Sequence, residues 1–106
     1  MRLFCFIVPI LFCITATAQN TYQEYLNELQ SGLPKDAAEL IQRIIECNHW
    51  AGEDGYDAQR KAHIDAMWDS LKCSLVEEDK KTILSKNPTI KCKLENAFLK
   101  ASNFVT

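Results

Sequence analysis

Apolar residues recur at helical spacing along most of the chain after residue 20. Four stretches show the i, i+3, i+4, i+7 spacing of one helix face, and they are centred on Leu26, Ile41, Trp68 and Phe98. The 106 residues include only three Gly and three Pro, too few for the many turns of an all-β chain. We therefore predict an all-α fold, a small bundle of about five short helices stapled by a disulfide.

Capping and turn residues predict where these helices begin and end. Thr21 opens the first with a capping box, and Gly32 ends it in a left-handed turn. Pro34 suits the first turn of the second helix, which runs to Cys47 and has the widest apolar face, so we expect it at the centre of the core. The third helix is predicted from about Tyr56 to Leu71. A capping box at Ser74 and a cap and first-turn pair at Asn87 and Pro88 predict the last two helices.

The third predicted helix has a narrower apolar stripe. Ile64, Met67, Trp68 and Leu71 lie on one face, and charged side chains occupy the rest of its surface. Such a stripe is more typical of core packing than of a ligand site, so we predict that Met67 and Trp68 are buried. His63 falls among polar neighbours and is predicted to be exposed.

The N-terminal segment predicts export. Arg2 is the only charge in the first 20 residues, residues 3–14 are apolar with one proline among them, and residues 16–18 are Ala-Thr-Ala. A membrane-spanning helix needs about 20 apolar residues, so this run is too short for an anchor and fits a signal peptide cleaved after residue 18. We predict a signal peptide over 1–18 and one helical domain over 19–106, secreted or periplasmic and without a membrane span after processing.

The charge pattern excludes a uniform basic surface. The net charge is -2 and the pI about 5.6, so we predict no nucleic-acid partner. Residues 21–79 nevertheless contain thirteen acidic and five basic side chains, whereas six lysines and one glutamate follow from Lys80 onward. Such a field can orient a protein partner, but lysines on solvated helix faces are the simpler explanation, and we favour it.

The segment from Cys47 to Arg60 combines the least common residue types. Helical periodicity stops from Asn48 to Gly55, so we predict a loop there. The alternative to binding is structural, with Trp50 covering the edge of the core and a histidine placed at the negative end of the helix dipole. The candidate binding residues of this loop and the turn after it are His49, Trp50, Glu53, Tyr56, Asp57 and Arg60.

Metal binding and catalysis are the competing chemistries for this segment. Cys47 and His49 place two soft donors close together, but structural zinc sites use two ligand pairs and the sequence has no second pair. An enzyme could use His49 as a base oriented by Glu53 or Asp57, yet the sequence has no nucleophile elbow, phosphate-binding glycine loop or metal-binding histidine pair. We predict no metal site, no cofactor and no enzyme activity, with a small metal-binding protein as the alternative.

The cysteines remaining after processing are Cys47, Cys73 and Cys92. An oxidising compartment permits one bridge and one spare thiol in three pairings. The pattern Cys-x-His-Trp-x-Gly-Glu, followed by Tyr-Asp and Arg and by Leu-Lys-Cys at 71–73, resembles small secreted bacterial proteins of no assigned activity. That resemblance implies a secreted helical domain in which Cys47 and Cys73 pair.

Helix geometry leaves a competing connectivity. In a simple hairpin of the second and third helices, Cys73 would lie about 24 Å from Cys47 at 1.5 Å per residue, and an up-and-down bundle instead brings Cys92 to the end where Cys47 lies. A bridge to Cys73 requires residues 48–55 to run back along the helices, and eight extended residues span about 26 Å. We predict the Cys47–Cys73 bridge, with Cys92 left free or used in a dimer.

These features together predict a class of protein. Small size, export and the lack of a catalytic motif favour a non-enzymatic helical module that binds a protein or an envelope component. An inhibitor or an immunity-type factor of the periplasm has this character.

Overall fold

The computed structural model describes residues 21–104, and the signal-peptide prediction lies outside this part of the chain. The described residues form helices and connecting turns, with no β-strand among them, so the predicted all-α class is confirmed. Two short 3₁₀ turns, Cys73–Leu75 and Pro88–Ile90, precede the last two helices. The α-helices are α1 over residues 21–30, α2 Lys35–Ala51, α3 Ala58–Ser70, α4 Val76–Lys86 and α5 Lys91–Ser102.

Helix α2 lies at the centre of the core, as its wide apolar stripe predicts. It packs against α4 and α5, and α1 adds Leu26 and Leu29 to the same core. Burying a Leu or Ile side chain stabilises a fold by about 1.5–3 kcal/mol, so these contacts supply most of the stability. The other buried core residues are Ala37, Leu40, Ile41, Ile44 and Ile45 of α2, Ile83 of α4, and Leu94, Ala97, Phe98 and Ala101 of α5.

An aromatic cluster joins α1 to the end of α5. Phe104 stacks on Tyr25 with ring centroids 5.0 Å apart and lies tilted against Tyr22 at 5.4 Å. Partial burial, and to a lesser extent the charge of Glu46, raises the pKa of Tyr22. Gly32 follows α1 at a φ of 73°, the left-handed turn predicted for it.

Helix α3 lies outside the core, which contradicts the prediction for its apolar stripe. None of the described residues of α3 is buried, and Met67 and Trp68 are only partly covered. Helical spacing shows that apolar residues share a face but not that another element covers it. His63, predicted to be exposed, is exposed.

The loop predicted from Asn48 to Gly55 begins later than expected. Helix α2 continues through Ala51, and the connection to α3 comprises residues 52–57. The apolar period stops at Cys47 because the last turn of α2 extends beyond the core, while its backbone hydrogen bonds continue until Gly52. The end of the apolar period therefore marked the end of burial and not the end of the helix.

Two predicted caps differ in the structure. Ser74 lies inside the 3₁₀ turn before α4, and the cap position of α4 has no side-chain hydrogen bond. The side-chain amide of Asn87 donates to the carbonyl of Ile83 at 2.8 Å, so Asn87 closes the end of α4 instead of opening α5. Short 3₁₀ turns commonly lead into α-helices, and here they take the place of the predicted capping residues.

The disulfide joins Cys47 near the end of α2 to Cys73 just after α3, as predicted. The two Cα atoms are 5.7 Å apart, and Cys92 is an exposed free thiol. The connection before α3 runs beside that helix, since a Cβ atom added at Gly55 would lie 3.3 Å from Cβ of Lys61. Helix α3 therefore starts beyond the end of α2 and runs back past it. This path brings Cys73 to Cys47, which a simple hairpin of the two helices would not do.

Candidate functional site

The carboxylate of Glu53 connects the end of α2 to the start of α3. One oxygen accepts from Nη2 of Arg60 at 2.9 Å, and the other lies 3.1 Å from Nε2 of His49. Glu53 follows the glycine that ends α2, so its side chain can reach both helices. These contacts hold three of the predicted binding residues together.

The indole of Trp50 lies at the centre of this cluster of side chains. His49 and His63 each meet it edge-on, with ring centroids 5.1 and 5.3 Å away. The guanidinium carbon of Arg60 lies 5.8 Å from the indole centroid, in reach of a cation–π interaction. The indole is partly exposed, so it is both a support for α3 and part of the surface.

Asp57 and Tyr56 have different roles from the rest of the cluster. Asp57 is the N-cap of α3, and its Oδ1 accepts from the backbone N–H of Arg60 at 2.7 Å. This bond satisfies one of the amides that a helix start leaves without an intrahelical partner. Tyr56 is 74% exposed and presents its ring at the tip of the connection.

A groove of about 580 Å³ runs between the last turn of α2 and α3. Trp50 and Trp68 both line it, and both indoles are partly exposed. The sequence predicts Trp68 in the core and not in the site. Its spacing from Ile64 shows that the two residues share a helix face, but a face that lines a groove has the same spacing as one that is buried. The remaining lining residues are Ala51, Glu53, Gly55, Lys61, Ile64 and Asp65.

A second cleft of about 400 Å³ lies where the ends of α2 and α5 meet. Its walls include His49, Glu53 and Phe104. The side-chain amide of Asn48 donates to the carbonyl of Ser102 and fixes this junction. Glu53 lines both this cleft and the groove, so the predicted segment borders two depressions of the surface.

The disulfide changes the chemistry open to this segment. A cysteine binds metal as a thiolate, and the Cys47 sulfur is bonded to Cys73, so the alternative metal site loses its best ligand. No group of three or more metal-binding side chains is placed to hold an ion within residues 21–104. The structure does bring His49 to Glu53, and the carboxylate of Asp57 caps α3.

No protein-family model, curated protein or solved structure matches this chain. In the described part of the chain, no helix combines the length and the apolar character needed to cross a membrane. The case for a function therefore depends on the geometry of α3 and its connection.

Proposed function

We propose that this protein is an exported, non-enzymatic helical module that binds another protein or an envelope component, in the manner of an inhibitor or an immunity-type factor. One observation carries the proposal. The chain holds a 13-residue helix, α3, on its surface although that helix contributes no buried residue to the core. Because α3 contributes no buried residue to the core, we infer that its role lies in the surface that it presents.

The binding surface comprises the groove residues together with Tyr56 and Arg60, and we call it the α3 face. Trp50 and Trp68 offer partly exposed indoles, Tyr56 an exposed ring and Arg60 a guanidinium held in a fixed position. Trp, Tyr and Arg are the residues most often found at the energetic centres of protein interfaces. The contacts within the cluster reduce the side-chain entropy that would be lost on binding.

Two further observations support export and an oriented encounter. The apolar run before residue 18 has the length of the apolar region of a signal peptide, and a disulfide persists in an oxidising compartment. The acidic side chains around the α3 face contrast with the lysines of α4 and α5, which favours one approach direction for a charged partner.

A photo-crosslinking experiment tests the α3 face. A benzophenone amino acid replaces Tyr56 in the full-length protein expressed in its host, and a matched variant carries it at Leu99, which is 60% exposed on α5. We expect one adduct of defined mass from position 56 and none from position 99. Adducts from both positions, or from neither, would contradict the proposed surface.

Export is tested separately with a reporter. Residues 1–20 fused to an alkaline phosphatase should direct the enzyme out of the cytoplasm, with cleavage after Ala18. Replacing Ala16 and Ala18 with bulky residues should leave the uncut fusion in the membrane. An active, uncut fusion from the unaltered segment would show an anchor and not a leader.

A further inference from the structure

We propose that α3 is an arm tethered to the rest of the protein by the Cys47–Cys73 disulfide, and that reduction of this bond by a dithiol releases the arm while the other four helices stay folded. The bridge then controls whether the α3 face exists. Only this last consequence depends on the proposed function. The release of the arm is a property of the fold itself.

The composition of the core is the first argument. Every buried residue of the described core cluster comes from α1, α2, α4 or α5. The partly buried residues packed against that cluster also lie outside α3. The one closest to α3 in the sequence is Val76 of α4. No apolar side chain of α3 is therefore among those packed against this core cluster.

The noncovalent contacts of α3 are the second argument. Its first turns are held by the Arg60–Glu53 ion pair and the stacking on Trp50, all partly open to solvent. Ion pairs at the surface contribute little to stability because water screens them. A 13-residue helix is marginal in water on its own, so α3 depends on its attachments to remain helical.

The hydrogen bonds of Arg43 mark where the arm ends. Its Nη2 donates to the carbonyl of Lys72 at 3.1 Å and to Asp79 at 2.6 Å, beyond the end of α3. Both contacts are at least partly open to solvent, so on their own they hold the turn after α3 on α2 less firmly than the bridge does. Residues 53–71 are the part of the chain whose attachment depends on the disulfide.

The redox step balances as thiol–disulfide exchange. One thiolate of the dithiol attacks a bridge sulfur, which forms a mixed disulfide and frees the other cysteine as a thiol. The second thiol of the reductant then closes its own disulfide, so the bridge takes up two electrons and two protons. Cys47 and Cys73 are 6% and 7% exposed, so the dithiol attacks when the turn around Cys73 opens transiently.

Hydrogen exchange measured by mass spectrometry tests the arm directly and needs no partner. The full-length protein is compared in three states: oxidised, reduced with dithiothreitol, and as the Cys47→Ala/Cys73→Ala variant. Cys92→Ala serves as the control that removes a thiol without touching the bridge. We expect exchange over residues 58–70 to rise by at least about tenfold in the last two of the three states, with residues 37–45 and 94–101 changed less than about twofold.

Two results would overturn the inference. Loss of protection throughout α2 and α5 would show that the bridge holds the whole fold, and unchanged protection over residues 58–70 would show that noncovalent contacts suffice to hold α3. Crosslinking at Tyr56 in the oxidised protein reports on the proposed function alone. A released arm with no crosslinked partner would leave this inference standing and reject the function.

Discussion

Arg43 Nη2 lies 2.6 Å from Oδ2 of Asp79, although 36 residues separate them in the chain. The same nitrogen donates to the carbonyl of Lys72. Arg43 comes one turn before Cys47 on α2, and Lys72 comes one residue before Cys73. A hydrogen bond to the Lys72 carbonyl and the disulfide at Cys73 thus hold the same turn at two adjacent levels of the central helix.

Replacing Arg43 should measurably weaken the fold. Arg43→Ala removes a charge-assisted bond to Asp79 and leaves the Lys72 carbonyl without this donor, so we expect the free energy of unfolding to fall by about 1 kcal/mol. Glu77→Gln is the matched control, because it disrupts an ion pair within α4 whose carboxylate is 80% exposed, and it should cost less than about 0.5 kcal/mol. Chemical denaturation measures both. Equal losses would mean that Arg43 contributes no more than an exposed pair.

Trp50 should contribute less to stability than a core aromatic residue. Its indole supports Arg60 and His63 but stays partly exposed, so we expect Trp50→Ala to lower the free energy of unfolding by about 1 kcal/mol. Phe98 is 3% exposed in the core, and Phe98→Ala should cost about 3–5 kcal/mol. Urea denaturation of the two variants gives the comparison. A loss near 3 kcal/mol at Trp50 would make it a core residue and weaken its assignment to a binding surface.

The ion pair between Asp36 and Lys86 predicts a pH dependence of stability. The hydrogen bond from Lys86 lowers the pKa of Asp36 from its ordinary 3.8. Because the folded state favours the ionised carboxylate, the pair stabilises the protein above that value and loses its effect as the pH falls through the lowered pKa. Nζ of Lys86 lies 3.1 Å from Oδ2 of Asp36, and both side chains are exposed. We therefore expect the pair to add about 0.2–1 kcal/mol to the free energy of unfolding.

The variant Lys86→Gln isolates this contribution from the other carboxylates. The difference in unfolding free energy between the original protein and Lys86→Gln should be largest near about pH 6 and should shrink toward zero near about pH 2. Thermal unfolding at both pH values provides the measurement. A difference that does not change with pH would show that Lys86 acts through packing of its aliphatic stem.

Cys92 should form a covalent dimer under oxidising conditions. Its thiol is free and exposed, whereas the other two cysteines of the described part are bonded to each other. We expect mild oxidation to give a dimer on a non-reducing gel that the variant Cys92→Ser cannot form. Peptide mapping should still find Cys47 joined to Cys73. Rearranged bridges in the dimer would argue that the internal disulfide exchanges readily.

Much of the fold can be predicted from apolar spacing because burial and spacing coincide in α2. The wide apolar face predicted to lie at the centre of the core comprises Ala37, Leu40, Ile41, Ile44 and Ile45, and all five are buried. The same reasoning fails for α3, since its stripe has helical spacing but lies beside the protruding end of α2. Periodicity identifies a face of a helix, and only the tertiary structure determines what covers it.

The candidate site shows the same division between local and long-range information. Local sequence groups His49, Trp50, Glu53 and Arg60, and their side chains do lie together because a single connection joins the two helices that carry them. Trp68 joins the groove only because α3 folds back past the end of α2. No short-range pattern carries that geometry, and the cysteine pairing is the one sequence feature that constrains it.

The position of the bridge also determines how the protein would behave after a backbone cleavage. Residues 52–57 are largely exposed and lie inside the loop that Cys47 and Cys73 close. A protease that cuts one peptide bond there yields two pieces that still travel together, heavier than the intact chain by one water. The cut becomes visible as separate fragments only after the disulfide is reduced, so an electrophoretic assay without reductant would score a nicked molecule as whole.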